Sequence, residues 1–273
     1  MIKPVFFGVK WNALLLVVSF GLSGCSLFGD DELQVDTNSG EQQMYRQAQR
    51  YIDTSNFDLA ISALMQLESR YPFGKYAEQA QLELIYAHHG AYQNEAAIEA
   101  ADRFIRLHPQ HPSVDYAFYM KGVAAYDLNK NFLASLIPSD DSKRDVTGVR
   151  EAFGEFSQLL NRYPNSRYAQ DARARMVYIR NMLARHEIHV ANYYFKRGAY
   201  MAALKRGQNV VENMQETTAV ADGLAVMAQA YTLLDMSSLA SDVVRVLCLN
   251  YPQHPNLDGE CNFEGGYDLD GLE

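Results

Sequence analysis

The chain has 273 residues, with 33 acids against 24 lysines and arginines and a formal net charge of −9. That balance argues against nucleic acid as a partner and against an extended basic surface for binding membranes. Without its first 24 residues the chain has 249, enough for one elongated domain or two compact ones.

The first 24 residues have the composition of a targeting segment. Lys3 and Lys10 supply positive charge, Trp11 to Leu22 supply an apolar stretch, and Leu22-Ser23-Gly24-Cys25 closes it. The run is short of the ~20 residues that a membrane-spanning helix needs, and a cysteine stands where a secretory signal would show Ala-x-Ala. The motif resembles the bacterial lipoprotein lipobox. The resemblance implies that residues 1–24 are a signal peptide and that Cys25 is lipidated and becomes the first residue. Two or more acyl chains, at ~0.8 kcal/mol per buried CH₂, hold a domain on a bilayer durably. Ser26 follows Cys25 in place of the Asp that marks inner-membrane retention, which implies the periplasmic face of the outer membrane. Cleavage removes two lysines and no acid, moving the charge from −9 to −11. Residues 25–40, rich in Ser, Gly, Asn and Asp, read as a flexible tether.

From residue 41 the pattern is helical and recurrent. Arg70-Tyr71-Pro72, Leu107-His108-Pro109, Arg162-Tyr163-Pro164 and Asn250-Tyr251-Pro252 each end an apolar-periodic segment, because proline disfavours αR for the residue before it. Small-residue landmarks recur at Ala60, Ala97, Ala152, Ala203 and Ala240. Ala60 to Ala97 and Ala203 to Ala240 are each 37 residues. The interval from Ala97 to Ala152 is 18 longer, which fits a loop inserted over Asn131–Gly148. The interval from Ala152 to Ala203 is 14 longer, which fits a lengthened helix, since Arg173 to Ala191 has no breaker. The pattern predicts an all-α superhelical stack of five helix pairs, near residues 41–72, 78–109, 115–164, 186–215 and 223–252. Tyr51, Tyr194 and Tyr231 fall at equivalent places. A single pair cannot bury its apolar face, so neighbouring pairs must stack. The arrangement resembles the tetratricopeptide (TPR) repeat with a longer period.

In a TPR stack the first helix of each pair lines a concave groove. Its exposed register is Gln42, Tyr45, Gln49 and Ile52 in the first pair, and Gln79, Leu82, Tyr86 and His89 in the second. In the third it is Tyr116, Tyr119, Val123 and Tyr126. Tyr45, Tyr86, Tyr116, Tyr119 and Tyr126 thus form an expected aromatic strip, joined by Tyr71 and Phe73 at the neighbouring corner. Tyrosine offers large contact area at low entropic cost, so the strip suits an extended peptide with aromatic or apolar side chains. Packing between repeats is the competing use of each ring. In the fourth pair Lys196, Arg197, Lys205 and Arg206 cluster in an otherwise acidic chain. Arg197 and Arg206 are candidates for a partner carboxylate through bidentate hydrogen bonds, against a simple solvated face.

Residues 253–273 are expected to form an acidic tail, disordered unless a disulfide or a partner fixes it. From Pro255 onward they carry six acids, no Lys or Arg, and four glycines. Cys248 and Cys261 either pair in an oxidising compartment or stand as one buried and one free thiol. Catalytic signatures are missing: His186-Glu187-Ile188-His189 lacks the i, i+4 spacing of a zinc-binding helix, and there is no nucleophile elbow, phosphate loop or dinucleotide fingerprint. A binding protein without metal or cofactor is the expectation.

More specific than a generic repeat are Arg70-Tyr71-Pro72-Phe73-Gly74-Lys75-Tyr76 with Gln81-Leu82-Glu83-Leu84-Ile85-Tyr86-Ala87, and Asp102 through Pro109 with His111-Pro112 and Asp115-Tyr116. Arg162 through Tyr168 and Val190-Ala191-Asn192-Tyr193-Tyr194 complete the set. Together with the lipobox, these resemble the BamD family, the TPR lipoproteins of the outer-membrane β-barrel assembly (BAM) complex, over about residues 41–250. The resemblance implies a non-enzymatic scaffold. Its implied partners are the POTRA region of BamA, the other BAM lipoproteins, and unfolded outer-membrane β-barrel proteins. It assigns residues 41–164 (repeats one to three) to the substrate groove and 165–252 (repeats four and five) to the BamA contact, where Arg206 matches a family arginine. Gly207 and the cysteine-containing tail depart from the family pattern. The alternative is a TPR lipoprotein of another envelope machine, such as a pilus or secretin.

Overall fold

The computed structural model describes residues 40–128, 142 and 145–264. The lipobox with Cys25, nearly all of the tether, most of the inserted loop and the last nine residues lie outside them. Among the described residues there are ten α-helices and no strand: α1 Glu41–Asp53, α2 Phe57–Arg70, α3 Ala77–Gly90, α4 Asn94–Leu107, α5 Val114–Tyr126, α6 Thr147–Arg162, α7 Ala169–Lys196, α8 Tyr200–Asn213, α9 Val220–Leu233 and α10 Ser237–Asn250. They form five antiparallel pairs in a TPR-like stack. The 14 surplus residues of the fourth pair do lengthen a helix: α7 runs for 28 residues, about 42 Å at ~1.5 Å per residue.

Each pair ends on one corner geometry. Tyr71, His108, Tyr163 and Tyr251, the residues before proline, adopt φ between −128° and −137° with ψ between 56° and 61°. Proline excludes the helical region there. Met214 closes the fourth pair at φ −129°, ψ 38° without a proline, so packing alone enforces the turn. The turns inside the pairs share a second geometry. Ser55, Tyr92, Gly198 and Asp235 all have φ between 57° and 70°, and the next amide in each case bonds back to the last helical turn, as Asn56 N does to Tyr51 O at 2.8 Å. Left-handed residues end helices in this way, although only one of the four is the glycine that favours it.

The core is a chain of apolar layers. Met44, Leu64 and Leu84 fill the first, and Ile85, Phe104 and Met120 the next. Phe118, Phe156 and Ile179 fill the centre, Val210 and Val226 the seam between the fourth and fifth pairs, and Leu224 and Leu247 the last. Full burial of each large side chain is worth roughly 1.5–3 kcal/mol. Small residues set the helix spacing. A Cβ on Gly207 would sit 2.8 Å from the carbonyl oxygen of Gly223, so α8 and α9 touch backbone to backbone. Gly207 is thereby explained as a packing residue.

An acid near the start of a first helix repeatedly clamps the turn that ends its own pair. Glu41 Oε1 accepts from Tyr76 N at 2.7 Å. Asp115 Oδ2 accepts from Ser166 Oγ at 2.6 Å. Glu78 faces His111 Nε2 at 3.4 Å and Asp222 faces His254 Nε2 at 3.2 Å. Both histidines accept a backbone N–H at Nδ1, from Ser113 and Asn256, which leaves Nε2–H as the donor to the carboxylate. These bonds fix the turns that end the first, second, third and fifth pairs.

For the tail, the sequence leaves disorder or fixation by a disulfide. Cys248 and Cys261 are disulfide-bonded, with Cα atoms 5.8 Å apart. Leu257 pairs with Phe263 in an isolated antiparallel bridge, and both pack on Leu224, Ala225 and Leu247. Asp258 accepts hydrogen bonds from the amides of Glu260 and Asn262. Residues 251–264 therefore form an ordered hook on the end of the stack, and 265–273 lie outside the described residues.

Candidate binding cleft

The first helices of successive pairs lie side by side, α3 against α5 and α7 against α9. Across α1, α3 and α5 they enclose a cleft of about 310 Å³, lined by Gln49, Ile52, Asp53, Gln79, Leu82, Glu83, Tyr86, Ser113, Tyr116 and Arg167. Its floor on the α1–α3 side is a hydrogen-bonded chain. Gln49 Nε2 donates to Tyr45 Oη at 2.9 Å, Tyr45 donates to Glu83 Oε1 at 2.5 Å, and Gln79 Nε2 donates to the same oxygen at 3.1 Å. Burial, then the Glu83 carboxylate, push the Tyr45 hydroxyl well above the usual phenol range, so it is a fixed donor at neutral pH.

The expected aromatic strip divides into three groups. Tyr86, 41% exposed, and the partly buried Tyr116 line the cleft. Burial, then Tyr168, raise the Tyr116 hydroxyl above the phenol range. Tyr45 is only 8% exposed and stacks on Tyr76 at 4.5 Å, so it supports the floor and is not itself open. Leu82 lines the cleft although buried, and Val123 is buried in the core; the exposed register expected for these positions is corrected accordingly. Tyr71 packs against the first core layer, while Phe73 is 100% exposed in the α2–α3 corner and does not line the cleft.

Tyr119 and Tyr126 continue the strip toward α7. Tyr119 stacks on Tyr168 at 4.7 Å and donates to Asp171 Oδ2 at 2.7 Å. Arg175 Nε holds the same oxygen at 2.6 Å and is the largest cause of the lowered Asp171 pKa. Tyr126 and Tyr178 meet edge to face at 6.3 Å and border a second hollow of about 310 Å³ with Ala174, Arg175 and Ile179.

The basic cluster of the fourth pair is less free than its composition implies. Arg206 Nη1 donates to Glu187 Oε2 at 3.0 Å and its guanidinium lies 5.9 Å from the Tyr194 ring. The bond to Glu187 is the largest cause of its raised pKa. Glu187 is buried and also faces Arg150 Nη2 at 3.5 Å. A shallow hollow of about 300 Å³ opens beside them, lined by Tyr194, Ala202, Lys205 and Asn209. Arg197 is exposed and sits over the Tyr193 ring at 5.3 Å. The flanking His186 and His189 hold Ser142 of the inserted loop, through its carbonyl at 2.8 Å and its hydroxyl at 3.0 Å.

Sequence reasoning missed Glu83, Arg167, Tyr168 and Glu187. Arg167 and Tyr168 stand in the Asn165-Ser166-Arg167-Tyr168 turn, where the helical register gave no reason to place them at a groove. Glu187 was hidden inside a failed metal motif. Among the described residues no group of three or more His, Cys, Asp or Glu is placed to hold a metal, and no helix is long and apolar enough to cross a membrane.

A family model described as YfiO, outer membrane lipoprotein, matches residues 37–247. A protein of Neisseria meningitidis serogroup B named outer membrane protein assembly factor BamD is 42% identical, over 89% of this chain and 93% of its own. Proteins of the same name from Vibrio cholerae and Xylella fastidiosa are 36% and 33% identical, covering 89% and 94% of this chain and 99% and 88% of theirs. Among solved structures, MamA aligns over 78% of this chain and 92% of its own at 12% identity, with a TM-score of 0.33.

Proposed function

Starting from the fact that this chain belongs to the BamD family of outer-membrane lipoproteins, we propose that it is a scaffold that promotes folding and insertion of β-barrel proteins within the BAM complex. Acylated Cys25 holds it on the periplasmic face of the outer membrane. It performs no bond-breaking chemistry; its work is to bring polypeptides together. The cleft across α1, α3 and α5 receives an extended strand of an unfolded barrel protein. Repeats four and five, through Arg197 and Arg206, meet the POTRA region of BamA, and other faces carry the remaining BAM lipoproteins.

The observation that carries this reading is the cleft itself. α1 contributes Gln49 and Ile52, α3 contributes Gln79 and Tyr86, and α5 contributes Tyr116 to one concave surface, which offers an extended segment both apolar contact and hydrogen-bonding partners. A synthetic peptide copying the last strand of a barrel protein, bearing a photocrosslinker, is expected to label the Tyr86–Tyr116 side. Labelling confined to repeats four and five overturns the assignment of the groove. Recovery of the lipoprotein from mild detergent with a pilus or secretin apparatus, and without BamA, overturns the proposal as a whole.

A further inference from the structure

Arg167 stands at the mouth of the cleft, on the turn between α6 and α7. Its guanidinium lies 4.8 Å over the Tyr168 ring, and Nη2 donates to Tyr168 Oη at 2.5 Å. Arg175 and Arg180 on α7 are committed to acids, Asp171 and Glu216, whereas Arg173 donates to the Pro164 carbonyl and Arg162 lies over the Phe118 ring. Among the described residues no carboxylate pairs with Arg167. Its stacking on Tyr168, itself stacked on Tyr119, orients the planar fork, and most of its five N–H donors remain available.

The walls of the cleft formed by α1 and α3 carry Asp53 and Glu83. Ile52, Leu82, Tyr86 and Tyr116 lie among the same walls. The cleft is therefore polarised, cationic at the α6–α7 turn and anionic toward α1. Its volume of about 310 Å³ is at the lower end for a ligand pocket, room for a few residues of an extended segment.

We infer that Arg167 anchors the free α-carboxylate of an extended peptide, so that the cleft reads a chain end in one direction, the terminus at the α6–α7 turn and the preceding residues toward α1. This rests on the reading that the cleft takes an extended strand, and it adds a ligand group, a polarity and a residue to it. A fork aimed at a planar carboxylate forms charge-assisted, bidentate hydrogen bonds, whereas a carboxamide brings its own donors against those of the arginine.

The test uses the full-length mature lipoprotein in detergent and peptides copying the last strand of a barrel protein, as free acid and as C-terminal amide. By fluorescence anisotropy at low salt the amide is expected to bind about tenfold more weakly, the size of one charged hydrogen bond. Arg167→Ala and Arg167→Gln should bind both peptides alike at the weaker level. Gln retains much of the stem over Tyr168, so it separates charge from packing. Equal binding of acid and amide to the wild type overturns the inference; if Tyr116→Ala then weakens both, the cleft reading survives it. An acid preference that persists in both Arg167 variants places the carboxylate elsewhere and also overturns it. Binding of neither peptide removes the inference and the cleft reading together.

Discussion

Arg206 and Glu187 form an ion pair in which the carboxylate is the buried member, its side chain 4% exposed against 39% for the arginine. Glu187 lies on α7 and Arg206 on α8, and Arg150 approaches the same carboxylate from α6 at 3.5 Å. One acid thus joins the third pair to the fourth. Removing a partner of a buried charge leaves that charge desolvated, which is costly.

Arg206→Glu is therefore expected to do more than delete a partner contact. It would face a buried carboxylate with another, and should lower the urea midpoint of the protein, with a loss of about 3 kcal/mol. Arg206→Gln paired with Glu187→Gln removes both charges and should recover most of that loss. A partner-binding defect that persists in the double variant would belong to the interface. One that disappears with the recovered stability would belong to the fold.

Gly207 and Gly154 predict opposite outcomes for the same substitution. A Cβ at Gly207 meets the Gly223 carbonyl oxygen at 2.8 Å and Val226 Cγ1 at 2.9 Å, and the first is backbone that cannot rotate away. Gly207→Ala should destabilise by about 1–3 kcal/mol, the usual cost of overpacking. Gly154 is exposed within α6 with nothing within 4 Å of an added Cβ. Gly154→Ala should stabilise by roughly 0.5–1 kcal/mol through helix propensity. Thermal unfolding of both variants checks the pair.

The repeat architecture was legible because its signals are local. Tyr71-Pro72 and Tyr251-Pro252 announce helix ends by backbone sterics, and the recurrence of Ala60 and Ala97 counts the period. Even the lengthened α7 followed from a missing breaker. The candidate site was legible only in part, because it depends on which side of a helix each neighbour covers. Tyr45 and Tyr86 were both expected on the groove face, at different register positions, yet Tyr76 and Glu83 close over one while the other lies open. Arg206 is a surface arginine by composition, and only the fold brings Glu187, 19 positions earlier, against it. Arg167 sits in a turn, where periodicity carries no information.

Asp171 makes part of the stability pH-dependent. Its pKa is lowered, chiefly by Arg175 and also by the Tyr119 hydroxyl. A carboxylate held below its unfolded value contributes stability that is fully present above the unfolded pKa of about 4 and is lost as pH falls through the folded one. The side chain is 51% exposed, so the effect is screened and amounts to about 0.5 kcal/mol. Asp171→Asn should lower the urea midpoint at neutral pH, and the difference from wild type should shrink at about pH 3. A constant difference across that range would show that the charge of Asp171 does not contribute.

The Cys248–Cys261 disulfide closes a short loop, 13 residues in separation, and holds the hook against the end of the stack. A crosslink of that size restrains the unfolded chain by about 3 kcal/mol. Leu257 and Phe263 cover Leu224 and Leu247 through it. Cys261→Ser should therefore release the segment from Pro252 to Glu264 while the first four pairs remain folded, because a stacked-repeat protein is stabilised between neighbours. Limited proteolysis should cut the variant within the hook, and hydrogen exchange should quicken in α10 before it does in α2 or α4. Reducing the wild-type protein should reproduce both effects. Uniform loss of protection along the chain would mean that the hook stabilises the entire stack and not just its last pair.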